Sequence, residues 1–373
     1  MEVTHPVNDE SLVSYHRPEL LALLPGLELA IDCWNLLDTN GRGSEKSKYL
    51  HKEVGEPATA YKERLHRSTY TPIFRDSIRA YAGLLSRFQL VGVPPSMEAS
   101  EQNIDMQGSS VQSFWSSCDE LAIRDGGVFI MVDMPPSDGE TNYLDELRNG
   151  RTPYVMQIER RDVINWSVEY IRGREFIRHV TVRQLRSRPA PTGYGAIIEP
   201  VYLVMKPGSV ASSPRIAQGD LPMNGLAELS IQHYQMRSDL QELLHKCAMP
   251  VPVRKGAPIG TNGRPAPLVI GPNTAVDLQD NGDFQFAEPT GRSLERHQAE
   301  ITHVEALMDR SGLNFLYGAN IKTATEASLR ASQISSQVSS LIRNKISSFV
   351  GVMRLWAAYA GELAALTSES GIA

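Results

Sequence analysis

Few residues in this chain have the types and spacing that chemistry requires. The three cysteines, Cys33, Cys118 and Cys247, lie more than eighty residues apart. With no Cys-x-x-Cys pair they build neither a zinc site nor a redox couple, and reduced, buried thiols are the default expectation. His233 and Cys247 invite comparison with a base and nucleophile, but on one helix their thirteen intervening residues set them roughly 20 Å apart. His297 and His303 are six apart, which puts them on different faces of a helix, so shared metal ligation is not expected and solvated histidines are. The run Glu159-Arg160-Arg161-Asp162 reads as a surface ion-pair network at a strand end rather than as catalytic carboxylates. One scattered combination, Cys118, Asp119 and His66, keeps a hydrolase open as an alternative, with nothing in the spacing to support it.

The phosphate-cradling, zinc-protease, nucleophile-elbow and dinucleotide glycine motifs do not occur. The glycines at 256, 260 and 263 fall among prolines and open no helix, so turn geometry accounts for them. No metal and no cofactor is expected, and an enzyme is not the favoured class. The net charge is −6, with 37 Lys and Arg against 43 Asp and Glu. That balance argues against a tight grip on nucleic acid, which comes from cations displacing counterions, and is compatible with a protein that DNA passes. The longest apolar run, Val128 to Val132, is far shorter than the ~20 residues a membrane span needs. The first residues carry no basic region followed by an apolar stretch, so no export is expected.

Proline placement organises the elements that must position any site. No proline occurs from 223 to 249 or from 290 to 373, whereas seven fall between Pro250 and Pro289. A continuous helix cannot carry that density, so the insert is read as loops and short strands between two helices. Its expected strands are Val251–Arg254, Leu268–Ile270, Ala275–Leu278 and Phe284–Phe286. The first flanking helix, Asn224 to Lys246, has an apolar stripe of Leu229, Met236, Leu240, Leu243 and Cys247. The second, Ser293 to Arg310, has Leu294, Ile301, Val304 and Met308. Gly312 and Asn314 stop it. A short irregular stretch precedes a helix of about 38 residues, Thr325 to Glu362, against a mean near 12. Its expected stripe is Val338, Leu341, Lys345 or Ile346, Phe349, Val352, Trp356, Tyr359 and Leu363, and its first half presents serines suited to close approach of another chain. Residues 1–219 are mixed, with helices at 17–38, 71–88 and 111–124 and strands at 127–133, 154–159, 176–184 and 196–206. The fold class is α+β.

This order of elements resembles the portal proteins of tailed bacteriophages, in particular a compact family often described only as a domain of unknown function. The likeness is carried by Leu226 to Leu240 running into Cys247-Ala248-Met249-Pro250-Val251-Pro252, and by Leu268 to Val276 with Thr323-Ala324-Thr325-Glu326-Ala327. Arg161 to Trp166 is similar to a strand-end signature of the same family.

The resemblance implies a wing over 1–219, stem helices over 220–248 and 292–312, and a clip over 249–291. A tunnel loop over 313–323 and a long wing helix over 324–373 follow, with a crown reduced or absent. It implies a homo-oligomeric ring, typically of twelve chains, at one capsid vertex of the virion, assembled in the host cytoplasm. Double-stranded DNA passes through it, and the terminase large subunit, a head–tail adaptor protein and the major capsid protein are the partners. Asn314, Tyr317, Asn320 and Lys322 would present weak backbone contacts to DNA, and the two helical stripes would pack subunits in the stem. Twelve chains would carry roughly −72, a field that repels phosphate except where cations are placed locally. Another ring-forming head–tail connector is the remaining alternative, although such connectors are usually much smaller.

Overall fold

A computed structural model describes residues 12–36, 48–136, 151–189, 196–205, 221–247, 251–257, 259, 264, 278, 281–287, 292–311, 324–367 and 370–372. The architecture is α+β, helices with small antiparallel sheets. The chain divides into two units, the first made of residues 1–35, 72–228 and 308–373, the second of 36–71 and 229–307. The 36–71 segment, read as part of the wing from sequence, thus groups with the helices around the insert.

In the first unit α1 (Pro18–Asn35) packs beside α3 (Ile73–Leu85) and α5 (Val111–Asp125), and α3, the short α4 (Pro95–Ala99) and α5 meet the second half of the long helix α8 (Ala324–Tyr359). α5 is delimited by local chemistry. The Ser110 hydroxyl accepts from the Ser113 backbone N–H at its start, and Gly126 takes the left-handed conformation (φ 72°) at its end. Along α8 the residues Lys345, Phe349, Val352, Met353, Trp356, Ala357 and Ala360 are buried, at spacings of three and four. They meet Met97, Phe114, Trp115, Cys118, Val132 and Val155 in one core. Of the two alternatives in the sequence stripe, Lys345 rather than Ile346 is the buried one. The stripe departs from the structure at its end, where Tyr359 and Leu363 are exposed because the helix ends at Tyr359 and Gly361 (φ 71°) turns the chain.

The sheets are small. β2 (Val128–Asp133) pairs antiparallel with β3 (Tyr154–Glu159), and a 3₁₀ turn, Arg160–Asp162, leads into a meander of β4 (Val163–Ile171), β5 (Arg174–Pro189) and β6 (Ala196–Met205). Leu20, Leu27, Ile158, Val163, Ile164, Trp166 and Val182 form the core beneath it. Most of β4 lies beyond the Arg161–Trp166 signature that the sequence marked. Two residues near the other end, β1 (Leu90–Val91), pair with β9 (Gly371–Ile372), fastening the C-terminal segment. Glycine is required here: Gly92 has φ 57°, and a Cβ on it would sit 2.9 Å from the Ser370 hydroxyl.

The second unit holds α2 (Ala58–Arg67), residues 229–247 of α6 (Asn224–Cys247), the antiparallel pair β7 (Val251–Lys255) and β8 (Asp283–Ala287), and residues 292–307 of α7 (Arg292–Ser311). β7 and β8 fall on the strands expected at 251–254 and 284–286, and Asn281 (φ 67°) sits in the turn ahead of β8. The strands expected at Leu268–Ile270 and Ala275–Val276 lie outside the described residues, and Leu278 is in no regular element.

Candidate functional site

The helix pair around the insert is assembled by side chains that a stripe-based reading passes over. Within the second unit, His233 on α6 is buried, and its Nε2 lies 3.1 Å from Glu305 Oε1 on α7. His297 Nε2 is 2.8 Å from the backbone carbonyl of Met236, so His297 donates there rather than being solvated; His303 is exposed. The residue numbers run in opposite senses along the two helices, which is antiparallel pairing. Ile301 and Val304 of α7 are buried, and Leu294 is half-buried.

A second partner lies along α6. The segment 48–70 contacts it through a polar seam: Gln235 donates to the Tyr49 carbonyl at 2.9 Å, the Ser68 and Ser238 hydroxyls are 2.7 Å apart, and Arg67 is ion-paired with Glu242. Tyr70 meets Tyr234 edge to face with ring centroids 5.7 Å apart. The segment is itself braced by Arg64, buried, which donates from Nε and Nη2 to the two Glu56 carboxylate oxygens, each at 3.0 Å, and to the His51 carbonyl at 2.6 Å. Hydrogen bonding to Glu56 raises the Arg64 pKa above its ordinary value. Burial raises the Asp239 carboxyl, with Arg64 nearby opposing the shift. The Tyr234 phenol is pushed up to about 12 by burial, and its hydroxyl has no hydrogen-bond partner among the described residues.

The consequence is that α6 presents two different faces. Ile231, Tyr234 and Ser238 are buried, whereas the apolar stripe of Leu229, Met236 and Leu240 is only half-buried and Leu243 is 36% exposed. At ~100° per residue the centre of the stripe lies roughly 150° around the helix from Tyr234 and Ser238. Leu244, beside the stripe, is 50% exposed. The α7 stripe behaves differently. Ile301 and Val304 are covered inside the second unit and Met308 inside the first, so the chain itself already uses them. Asn314, Tyr317, Asn320 and Lys322 lie outside the described residues, as does the Cys247 side chain.

The residues considered for chemistry have structural partners. Cys118 is buried, its thiol lies 3.7 Å from Gln157 Oε1, and burial raises its pKa. Asp119 is bound to Lys345 on α8, Nζ to Oδ2 2.6 Å, and the same ammonium donates to the Leu85 carbonyl at 2.6 Å and lies 4.4 Å from the Phe88 ring centre. His66 belongs to the second unit and the other two residues to the first. The Glu159–Asp162 run is an ion-pair network, partly exposed at Glu159, Arg161 and Asp162 and buried at Arg160. Arg160 is buried and donates to the Asp125 carbonyl at 2.7 Å, Arg161 and buried Arg124 both reach Glu159, and Asp162 accepts from Arg183 at 3.0 Å. Among the described residues no three His, Cys, Asp or Glu are grouped to hold a metal, and no helix is long and apolar enough to cross a membrane.

No curated protein matches this chain. A family profile described as a domain of unknown function, DUF4055, matches residues 222–360, a span that starts two residues before α6, runs through β7, β8 and α7, and ends one residue after α8.

Proposed function

We propose that this chain is a portal subunit of a tailed bacteriophage, with α6 and α7 as the stem, the β7–β8 insert as the clip and α8 as the long wing helix. The observation that carries the reading is the second face of α6. A helix 24 residues long buries Ile231, Tyr234 and Ser238 on one face and turns His233 toward α7, while Leu229, Met236 and Leu240 stay half-buried and Leu243 is exposed. Apolar stripes seek cover, and a neighbouring copy standing alongside supplies it. The family match supports the reading because it covers the helix–insert–helix–long-helix order as one block.

In this reading the copies form a ring, typically of twelve, at a capsid vertex. Double-stranded DNA passes through it during packaging and ejection, and the terminase large subunit, the head–tail adaptor and the major capsid protein bind its outer surfaces. Asn314, Tyr317, Asn320 and Lys322 would offer the passing backbone weak, sequence-independent contacts. An acidic chain suits a channel that must not hold its cargo.

The test is the mass and shape of the purified full chain, by mass photometry and negative-stain imaging. A ring with a central hole is expected; a monomer or dimer at every concentration tried sinks the proposal. Leu240→Asp is expected to abolish the ring with the far-ultraviolet circular dichroism unchanged. Lys322→Ala is expected to alter packaging or genome retention while rings still form.

A further inference from the structure

The first unit carries two surface features of complementary chemistry, an acidic-edged cleft and a basic, apolar hairpin tip. One is a cleft of about 370 Å³ with an apolar floor of Phe88, Leu90, Val93 and Val111, bordered by Glu98 and Glu101. Neither carboxylate has an ion-pair partner among the described residues. The other is the tip of the β4–β5 hairpin, Tyr170-Ile171-Arg172-Gly173, where Tyr170 is 71% and Ile171 46% exposed and Arg174 stands opposite Ile171 in the register. The turn holds Arg172 at φ 51° and Gly173 at φ 76°. Such two-residue turns favour Asn ahead of Gly, and a long side chain there is disfavoured, so turn formation does not explain the arginine. None of the tip residues lines the cleft.

We propose that the hairpin tip of one copy docks in the cleft of the next, Ile171 on the apolar floor and Arg172 between Glu98 and Glu101. The volume lies at the small end of the ~300–1,000 Å³ range of binding pockets and suits one or two side chains. The occupant is a second copy because this same chain supplies the complementary charge and the exposed apolar tip. A contact between two different patches of one chain is head-to-tail, the type that closes rings. The inference rests on the ring reading and gives it a named interface.

The experiment places a photoreactive benzoylphenylalanine at Ile171 in a mixture of isotope-labelled and unlabelled full-length chains and maps the adducts by mass spectrometry. Adducts between copies within residues 88–112 are expected; adducts elsewhere, or none, overturn the proposal. In parallel, Arg172→Glu and the double change Glu98→Arg with Glu101→Arg should each raise the concentration for half-assembly roughly tenfold or more, because like charges then face each other. All three changes together should restore assembly, which a folding defect would not. Rings that survive every reversal remove this interface and leave the portal reading intact. A wild-type chain that is monomeric and gives no adduct overturns both.

Discussion

Lys345→Met separates a buried charge from its partner and gives the sharpest check on how α8 is held. In the native protein the Asp119 carboxyl is raised to about 6, burial being the larger influence and the Lys345 ammonium opposing it. Methionine keeps the bulk of the stem, so the change removes the charge, the hydrogen bond to the Leu85 carbonyl and the contact with Phe88. At pH 8 the variant must either keep a buried, unpaired Asp119 carboxylate or protonate it against the solvent pH, and breaking a buried pair in this way costs about 3–5 kcal/mol. The Asp119 pKa rises further once its cation is gone. A carboxyl whose folded pKa exceeds its unfolded value contributes stability that is full below the unfolded pKa, near 4, and is lost as pH rises through the folded one. The variant's deficit should therefore shrink with acidification, to about 1–2 kcal/mol for the orphaned Leu85 carbonyl once Asp119 is protonated. Denaturant unfolding of wild type and variant at pH 8, 7, 6 and 5 measures the difference. A deficit that is constant across this range, or that grows toward pH 5, refutes the reasoning. Lys345→Met combined with Asp119→Leu should recover most of the loss at pH 8, since an apolar pair can replace a buried ionic one.

Tyr234→Phe removes a buried hydroxyl that lacks a partner, so stability should stay level or rise by about 1 kcal/mol; denaturant titration decides it, and a loss above that size reveals a bond to the hydroxyl. Gly92→Ala places a Cβ against Ser370 at a left-handed φ, a cost of about 1–2 kcal/mol that should fall on the β1–β9 pairing. Hydrogen exchange should then show the Gly371 and Ile372 amides unprotected while the α8 core stays protected. Cys118 should resist thiol reagents at pH 8 in the folded protein and label at once in denaturant, because its thiol is buried and its pKa raised. Rapid labelling of Cys118 in the native state would revive the hydrolase alternative.

The long elements were legible because they needed no partner to identify them. Proline exclusion and a helical beat locate α6, α7 and α8 within one to three residues at each end, and tertiary packing then makes such helices stable. α2 carried no comparable signal: its Ala-Thr-Ala-Tyr-Lys-Glu-Arg-Leu-His-Arg sequence is polar throughout, and its anchor is the buried arginine Arg64, a residue that pattern reading assigns to solvent. For Lys345 the pattern left the choice with Ile346 open, and Asp119, 226 residues earlier, is what receives the lysine and settles it. Hydrophobic periodicity reports which face of a helix needs cover and is silent on who provides it. For α7 the cover comes from within the chain, over Ile301, Val304 and Met308. For α6 the face of Ser230, Ile231, Tyr234 and Ser238 is the better buried one. On α6 Ser230 and Ser238 are buried while Leu240 and Leu243 stay partly open, although transfer of apolar area, at about 25 cal/mol per Å², favours covering the leucines. That inversion follows if the leucine face is buried in an assembly, and it makes Leu240 and Leu243, rather than the α7 stripe, the residues on which subunit association should depend.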